Sequence, residues 1–289
     1  MIRILNGKDI SLKDTASFIA KLNQQEVHHI GFCGTNPEEI QNAIKEDVSE
    51  MTGAVEDGKL IGWIGADIDK DTAEVWGPFV GVEYKSEVAF DMWRNLLDKI
   101  PASVNNFDLF SNKENKFVKK FAERLQFEQA TDQAVLIFQK ENVEKLPKTD
   151  LKELTQTDHM AFIRLHDEAF PGTYYSGQEI IERINQTQKV FILKDGDRLA
   201  GYAYVEAQPA YGEGSIEFIA VDPVFQGKRY GQKLLSEALH WLFSFDAIGE
   251  IQLAVAADNQ IALKLYLSVG FKVKHELYYF EKQRDNSLV

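Results

Sequence analysis

A single cysteine, Cys33, is all the thiol chemistry in 289 residues, so an internal disulfide and a cysteine-based metal centre are both excluded. Prolines number seven, and no apolar run approaches the ~20 residues needed to span a bilayer as a helix. Basic residues are outnumbered, 32 Lys and Arg against 45 Asp and Glu, for a formal net charge of −13. Both halves share the deficit: 18 basic against 26 acidic residues up to position 150, and 14 against 19 after it. Nucleic-acid binding needs a basic stripe to displace condensed counterions, so no nucleic-acid partner is expected. The neighbouring His28 and His29 lack the Cys or carboxylate pattern of a metal site, and no metal is expected. Residues 1–9 turn polar too soon for a secretory signal, which leads us to expect a cytoplasmic chain with no membrane association. An acidic field steers cationic small molecules favourably, although acidity also serves solubility.

What is present is a globular composition, 44% hydrophobic and 27% charged, long enough for two domains. An internal repeat supports that division. Leu109-Phe110-Ser111-Asn112-Lys113-Glu114-Asn115, followed by a helical stretch ending at Phe127, parallels Leu253-Ala254-Val255-Ala256-Ala257-Asp258-Asn259, followed by one ending at Phe271. Asn115 to Asn259 and Phe127 to Phe271 are both offset by 144, whereas the hairpin glycines Gly62 and Gly201 are offset by 139. One insertion or deletion accounts for the slip. The charged, proline-bearing stretch 141–150 reads as a linker, giving expected domains 1–142 and 150–285. In the second half, strands are expected at 189–193, 199–208, 215–221 and 250–256, with helices at 231–245 and 260–269. The fold class is α/β, or α+β in some schemes, with a mixed sheet.

Pro223 must end the strand before it, because proline cannot donate to a ladder. The turn Gln226-Gly227-Lys228-Arg229-Tyr230-Gly231 then opens a helix with Leu234, Leu235, Ala238, Leu239 and Leu242 on one face. Glycines between a strand and a helix expose backbone N–H groups at the positive end of the helix dipole, a site for phosphate. The spacing is neither a P-loop nor a three-glycine dinucleotide fingerprint.

The turn resembles the acetyl-CoA motif of the GNAT superfamily of N-acetyltransferases, Gln/Arg-x-x-Gly-x-Gly/Ala, matched at Gln226 and Gly231, with Arg229 where the middle glycine stands. The segment from Asn259 through Ala262, Leu265 and Tyr266 to Gly270 and Phe271 resembles the second half of the same pattern. The resemblance implies two tandem GNAT-like domains, each a mixed, mostly antiparallel sheet flanked by helices, with acetyl-CoA as cosubstrate. It implies cofactor contacts from Ile219, Ala220, Val221, Gln226, Gly227, Lys228, Arg229, Tyr230, Gly231, Gln232, Asn259 and Tyr266. The first domain is then a degenerate copy, with Ala122 at the position of Tyr266 and 82–87 in place of the turn.

Acetyl transfer to an amine needs a base for the amine, donors for the oxyanion and an acid for the leaving thiolate. By resemblance Tyr266 is the acid, its reference pKa of about 10 lying near that of a thiol. Glu217, two residues before Ile219 and expected on the same strand face, is the candidate base, with Glu206 as a second and no dedicated base as a third option. The aromatic and acidic stretch 165–175 is expected to wall the acceptor pocket, where His166 reads as an ordinary core or surface histidine. The expected function is acetyl-CoA-dependent N-acetylation of a small amine or other amino-group acceptor, a protein N-terminus or lysine being the lesser option, by direct transfer through a ternary complex, with a homodimer allowed for. The alternative is a non-catalytic module that binds acyl-CoA or a metabolite.

Overall fold

The hairpin at Glu56-Asp57-Gly58-Lys59 forms because Asp57 (φ 51°) and Gly58 (φ 77°) both take left-handed backbone, the pairing of signs that matches the twist of two flanking strands. In this computed structural model, which describes residues 1–31, 33–81 and 85–284, that hairpin belongs to the first of two units. The first comprises Met1–Gln133 with His275–Val289, and the second Ala134–Lys274.

Unit 1 runs β1 (Ile2–Asn6), α1 (Leu12–Asn23), α2 (Pro37–Glu46), β2 (Val48–Glu56), β3 (Lys59–Asp69), β4 (Thr72–Val80), α3 (Lys85–Leu97), β5 (Asn106–Asn112), α4 (Lys116–Arg124) and β6 (Glu128–Gln129). Strands β1 to β5 are neighbours in order, antiparallel except for the parallel pair β4–β5. Residues 277–283 add an antiparallel strand against β5. The core gathers Trp63, Val75, Phe107 and Leu109 from the strands with Met92, Trp93 and Phe121 from the helices.

Unit 2 runs β7 (Gln133–Gln139), β8 (Lys152–Glu153), α5 (His159–Ala169), α6 (Gly177–Arg183), β9 (Gln188–Asp195), β10 (Arg198–Gln208), β11 (Glu213–Val221), α7 (Tyr230–Leu242), β12 (Glu250–Ala256), α8 (Gln260–Val269) and the start of β13 (Lys272–Gln283). One antiparallel sheet has the order β11-β10-β9-β8, and β7 pairs beside β12. Helix α7 packs Leu234, Leu235, Ala238, Leu239 and Leu242 into one core, and α5–α6 cover the opposite face through Phe162, Leu165 and Ile180.

The repeat is structural. Asn115 and Asn259 cap α4 and α8 identically, each side chain accepting a hydrogen bond at 3.1 Å from the third helical residue. The offset grows from 139 (β3 to β10) through 141 (β4 to β11) to 145 (α3 to α7), then settles at 144 (β5 to β12). Several length changes are therefore involved, where one insertion was expected. The largest falls before the helix: residues 222–229 precede α7, eight in all, whereas four residues, 81–84, precede α3. The sequence-derived boundaries at 142 and 150–285 also differ from the observed units. Each half's last strand completes the other unit, so 134–139 joins unit 2 and 275–283 joins unit 1. Segment 82–84, within the degenerate turn, lies outside the described residues.

A row of carboxylates crosses unit 1. Asp67 pairs with Glu74, Glu74 with Asp108, Asp108 with Glu281 and Glu281 with Glu128, each as a direct cross-strand partner. Direct partners share a face, and like charges there are destabilising. Burial, then Asp67 and Asp108, push the Glu74 carboxyl up to about 7; Asp67 and Asp108 are also raised, burial first in each. A raised folded-state value means that protonation stabilises: the contribution is complete below the ordinary carboxylate range and is lost as pH rises through about 7. Glu74→Gln should therefore raise the melting temperature near pH ~8 and leave it nearly unchanged near pH ~4. Thermal melts at both pH values check this, and an equal effect at both would contradict it.

Candidate functional site

The site begins at a gap in unit 2. Strands β11 and β12 run side by side, but each is the outer strand of its own sheet, and no ladder joins them among the described residues. One edge of β11 therefore presents unpaired backbone groups to the gap.

At the end of β11 the Asp222 side chain accepts from the Val224 N–H at 2.9 Å, and the Gln226 amide donates to the Val221 carbonyl at 3.3 Å, folding the turn back on the strand. Gly227 has φ 80°, and Arg229 takes a left-handed conformation with φ 61° and ψ 22° before α7 begins at Tyr230. Arg229 thus adopts backbone geometry more natural to glycine, the residue the motif places there. No side chain caps α7, and its first N–H groups have no intrahelical acceptor, leaving a concentration of donors at the positive end of the helix. Gly231 has a separate reason to be glycine: a Cβ there would meet both Leu265 methyls at 3.2 Å, where α7 crosses α8.

These parts enclose a cleft of about 800 Å³. Ile219, Ala220, Val221, Gln226, Gly227, Arg229, Tyr230, Gly231, Gln232, Asn259 and Tyr266 all line it, joined by Phe170, Ile261, Lys264 and Ser268, which the motif reading had not marked. Lys228 does not line it; its ammonium pairs with Asp195 at 2.6 Å, and the Tyr230 hydroxyl donates to the same carboxylate at 2.9 Å.

Tyr266 is 7% exposed and packs edge-on against Phe271 with ring centroids 5.3 Å apart. Burial pushes its phenol up to about 12, so it keeps its proton throughout the neutral range and remains a donor.

Glu217 departs from its expected place. In the β10–β11 ladder Tyr204 pairs with Phe218 and Val205 with Ile216, so Glu217 is the extra residue of a bulge. A bulge re-aims side chains, and the Glu217 carboxylate accepts from the Tyr174 hydroxyl at 2.5 Å, with the Tyr174 ring 5.0 Å from Phe218. It therefore faces the α5–α6 side with Phe218, not the side to which Ile219 packs. Phe170 touches Phe218 as well, at 5.0 Å, and is the shared wall between this locus and the cleft. Glu206, the second candidate base, is committed elsewhere: Arg183 grips it at 2.9 Å and the Tyr204 hydroxyl donates to it. Burial raises its carboxyl, but these hydrogen bonds outweigh burial and hold it below the usual range.

His166, which the sequence left as an ordinary histidine, is fully buried. Its Nε2 lies 2.8 Å from the Tyr175 carbonyl, which can only accept, and its Nδ1 lies 2.5 Å from the Tyr202 hydroxyl. The neutral Nε2–H tautomer satisfies both. No sequence signal marked this contact, because its partners stand 36 and 9 residues away on other elements.

Residues 159–271 match the family model described as Acetyltransferase (GNAT) family. Over that stretch, less than half of its length, the chain is similar to the GNAT acetyltransferases. It is 29% identical over 133 residues to a mycothiol acetyltransferase of Kocuria rhizophila, covering 41% of this chain and 44% of that one. To the N-alpha-acetyltransferase RimI of Mycobacterium tuberculosis it is 39% identical over 82 residues, covering 27% and 49%. The chain thus spans about half or less of the length of these curated relatives. Its fold is similar to that of a tandem GNAT protein from the clavulanic acid biosynthesis pathway, with a TM-score of 0.64 at 11% identity, covering 99% and 100% of the two chains. Both units accordingly have the GNAT-like fold, each with a mostly antiparallel sheet flanked by helices.

The Asn259 cap holds the α8 end of the cleft. Asn259→Ala should cost about 1 kcal/mol of stability, read by chemical denaturation, and should weaken acetyl-CoA binding by more than this loss of stability explains. A variant with full affinity would show that the side chain acts as a cap alone.

Proposed function

We propose that unit 2 binds acetyl-CoA in the cleft and transfers its acetyl group directly to a primary amine held near Glu217 and Tyr174. The observation that carries this reading is the convergence on one cleft of an unpaired strand edge, a left-handed turn at a helix N-terminus, and a buried protonated phenol.

Backbone groups of Ile219 and Val221 suit the amides of the pantetheine arm, which would extend the sheet as an added strand. The N–H groups of 227–231 suit the pyrophosphate. The uncharged amine attacks the thioester carbonyl, forming the C–N bond, and collapse of the tetrahedral intermediate breaks the C–S bond. Tyr266 donates its proton to the departing sulfur, and the proton released by the amine passes to Glu217 directly or through water, then to solvent. A phenol raised to about 12 reclaims a proton readily after each turnover.

The Glu217 carboxylate and the aromatic rings of Tyr174 and Phe218 suit a cationic amine, which Glu217 would meet once the Tyr174 hydroxyl yields its place. The relatives named above are a mycothiol acetyltransferase and an N-alpha-acetyltransferase; the aromatic rings packed beside Glu217 favour the small amine. Unit 1, with Ala122 at the position of Tyr266 and four fewer residues before its helix, is proposed to bind no second acetyl-CoA.

Tyr266→Phe should lower kcat roughly a hundredfold while leaving acetyl-CoA affinity unchanged, as measured by steady-state kinetics with a panel of primary amines and by calorimetric titration. Tight binding without transfer to any amine would favour the binding-module alternative.

A further inference from the structure

The Tyr174 hydroxyl sits on Glu217 at the end of a segment with few other ties. Among the described residues, the backbone of 174 and 175 is held to the rest of unit 2 by one hydrogen bond, from His166 Nε2 to the Tyr175 carbonyl. The ring of Tyr175 stacks against the Arg183 guanidinium at 4.2 Å, and Arg183 is in turn fixed by Glu206. His166 lies beneath all of this, fully buried, with its ring edge-on to Phe218 at 4.8 Å and 5.6 Å from Phe170.

We propose that His166 is a positioning residue for the acceptor: locked as the Nε2–H tautomer by Tyr202, it holds the 174–175 backbone so that Tyr174 stays over Glu217. The proposal rests on the reading of that locus as the seat of the amine. The lock is chemical. Tyr202 Oη donates to Nδ1, which leaves the imidazole proton on Nε2, the only tautomer of a neutral ring that can donate to the Tyr175 carbonyl. Without the Tyr202 hydroxyl, neither tautomer satisfies both nitrogens, and the Nδ1–H form would set a bare lone pair against a carbonyl. Loss of one buried partner leaves the other uncompensated, and the segment above is the part free to move. His166 touches neither the cleft's turn nor Tyr266, so the effect should fall on the amine and not on acetyl-CoA.

The test uses the full chain with benzylamine as the probe amine and 3-fluorotyrosine placed at position 174. Tyr202→Phe and His166→Phe should raise the KM for benzylamine roughly tenfold or more, leave the acetyl-CoA dissociation constant unchanged, and move the ¹⁹F signal at 174. His166→Gln, whose amide can donate to Tyr175 and accept from Tyr202, should return both towards wild type. An unmoved ¹⁹F signal would overturn the proposal, as would loss of acetyl-CoA binding in step with lowered melting temperature, the mark of a purely structural role. If the wild type binds no acetyl-CoA, the reading of the cleft fails, and the ¹⁹F comparison still decides whether His166 holds Tyr174.

Discussion

The unpaired edge of β11 is the constraint on which the rest of unit 2 depends. A strand edge that faces a cleft has N–H and C=O groups that water or a ligand can pair, and that edge is kept open beside β12. Everything around it serves that end. The Asp222 and Gln226 side chains fold the turn back at the tip of the strand. Arg229 holds left-handed backbone, and Gly231 lets α7 approach Leu265 closely enough to close one wall. Tyr266 and Asn259 come from α8, whose cap fixes its start.

The two units show what happens when that constraint is relaxed. In unit 1 the strands corresponding to β11 and β12 pair at Thr72–Val75 with Asn106–Leu109, and the connection to the helix is four residues shorter. The sheet of unit 1 is continuous from β1 to β5. It carries instead a row of carboxylates in cross-strand register, a cost that the protonation of Glu74 offsets. Each unit is completed by the closing strand of the other half of the chain, so neither half as delimited by sequence contains its whole sheet.

Much of this was legible in the residues. Pro223 and the glycines at 227 and 231 announced the turn, and α7 starts within one residue of its expected position. The 144-residue offset correctly equated Asn115 with Asn259, because capping is a local property written within three residues. What escaped the sequence is what long-range contacts decide. The alternation rule placed Glu217 with Ile219, but one extra residue in the ladder opposite Tyr204 and Val205 turns it to the other face. Lys228 lies within the motif, yet Asp195 on another strand takes its charge. The repeat told which strands are equivalent and not which sheet each enters, so the exchange of final strands went unread. His166 looked ordinary because its meaning lies in Tyr202 and Tyr175.

The account stands or falls on a single cofactor site per chain, in the cleft of unit 2. Calorimetric titration of the full chain with acetyl-CoA, alongside Gly231→Glu, measures that directly. The account predicts a stoichiometry of one per chain in the wild type and none in the variant, where a carboxylate would stand at the turn and press on Leu265. Two sites per chain, or undiminished binding by the variant, would contradict it.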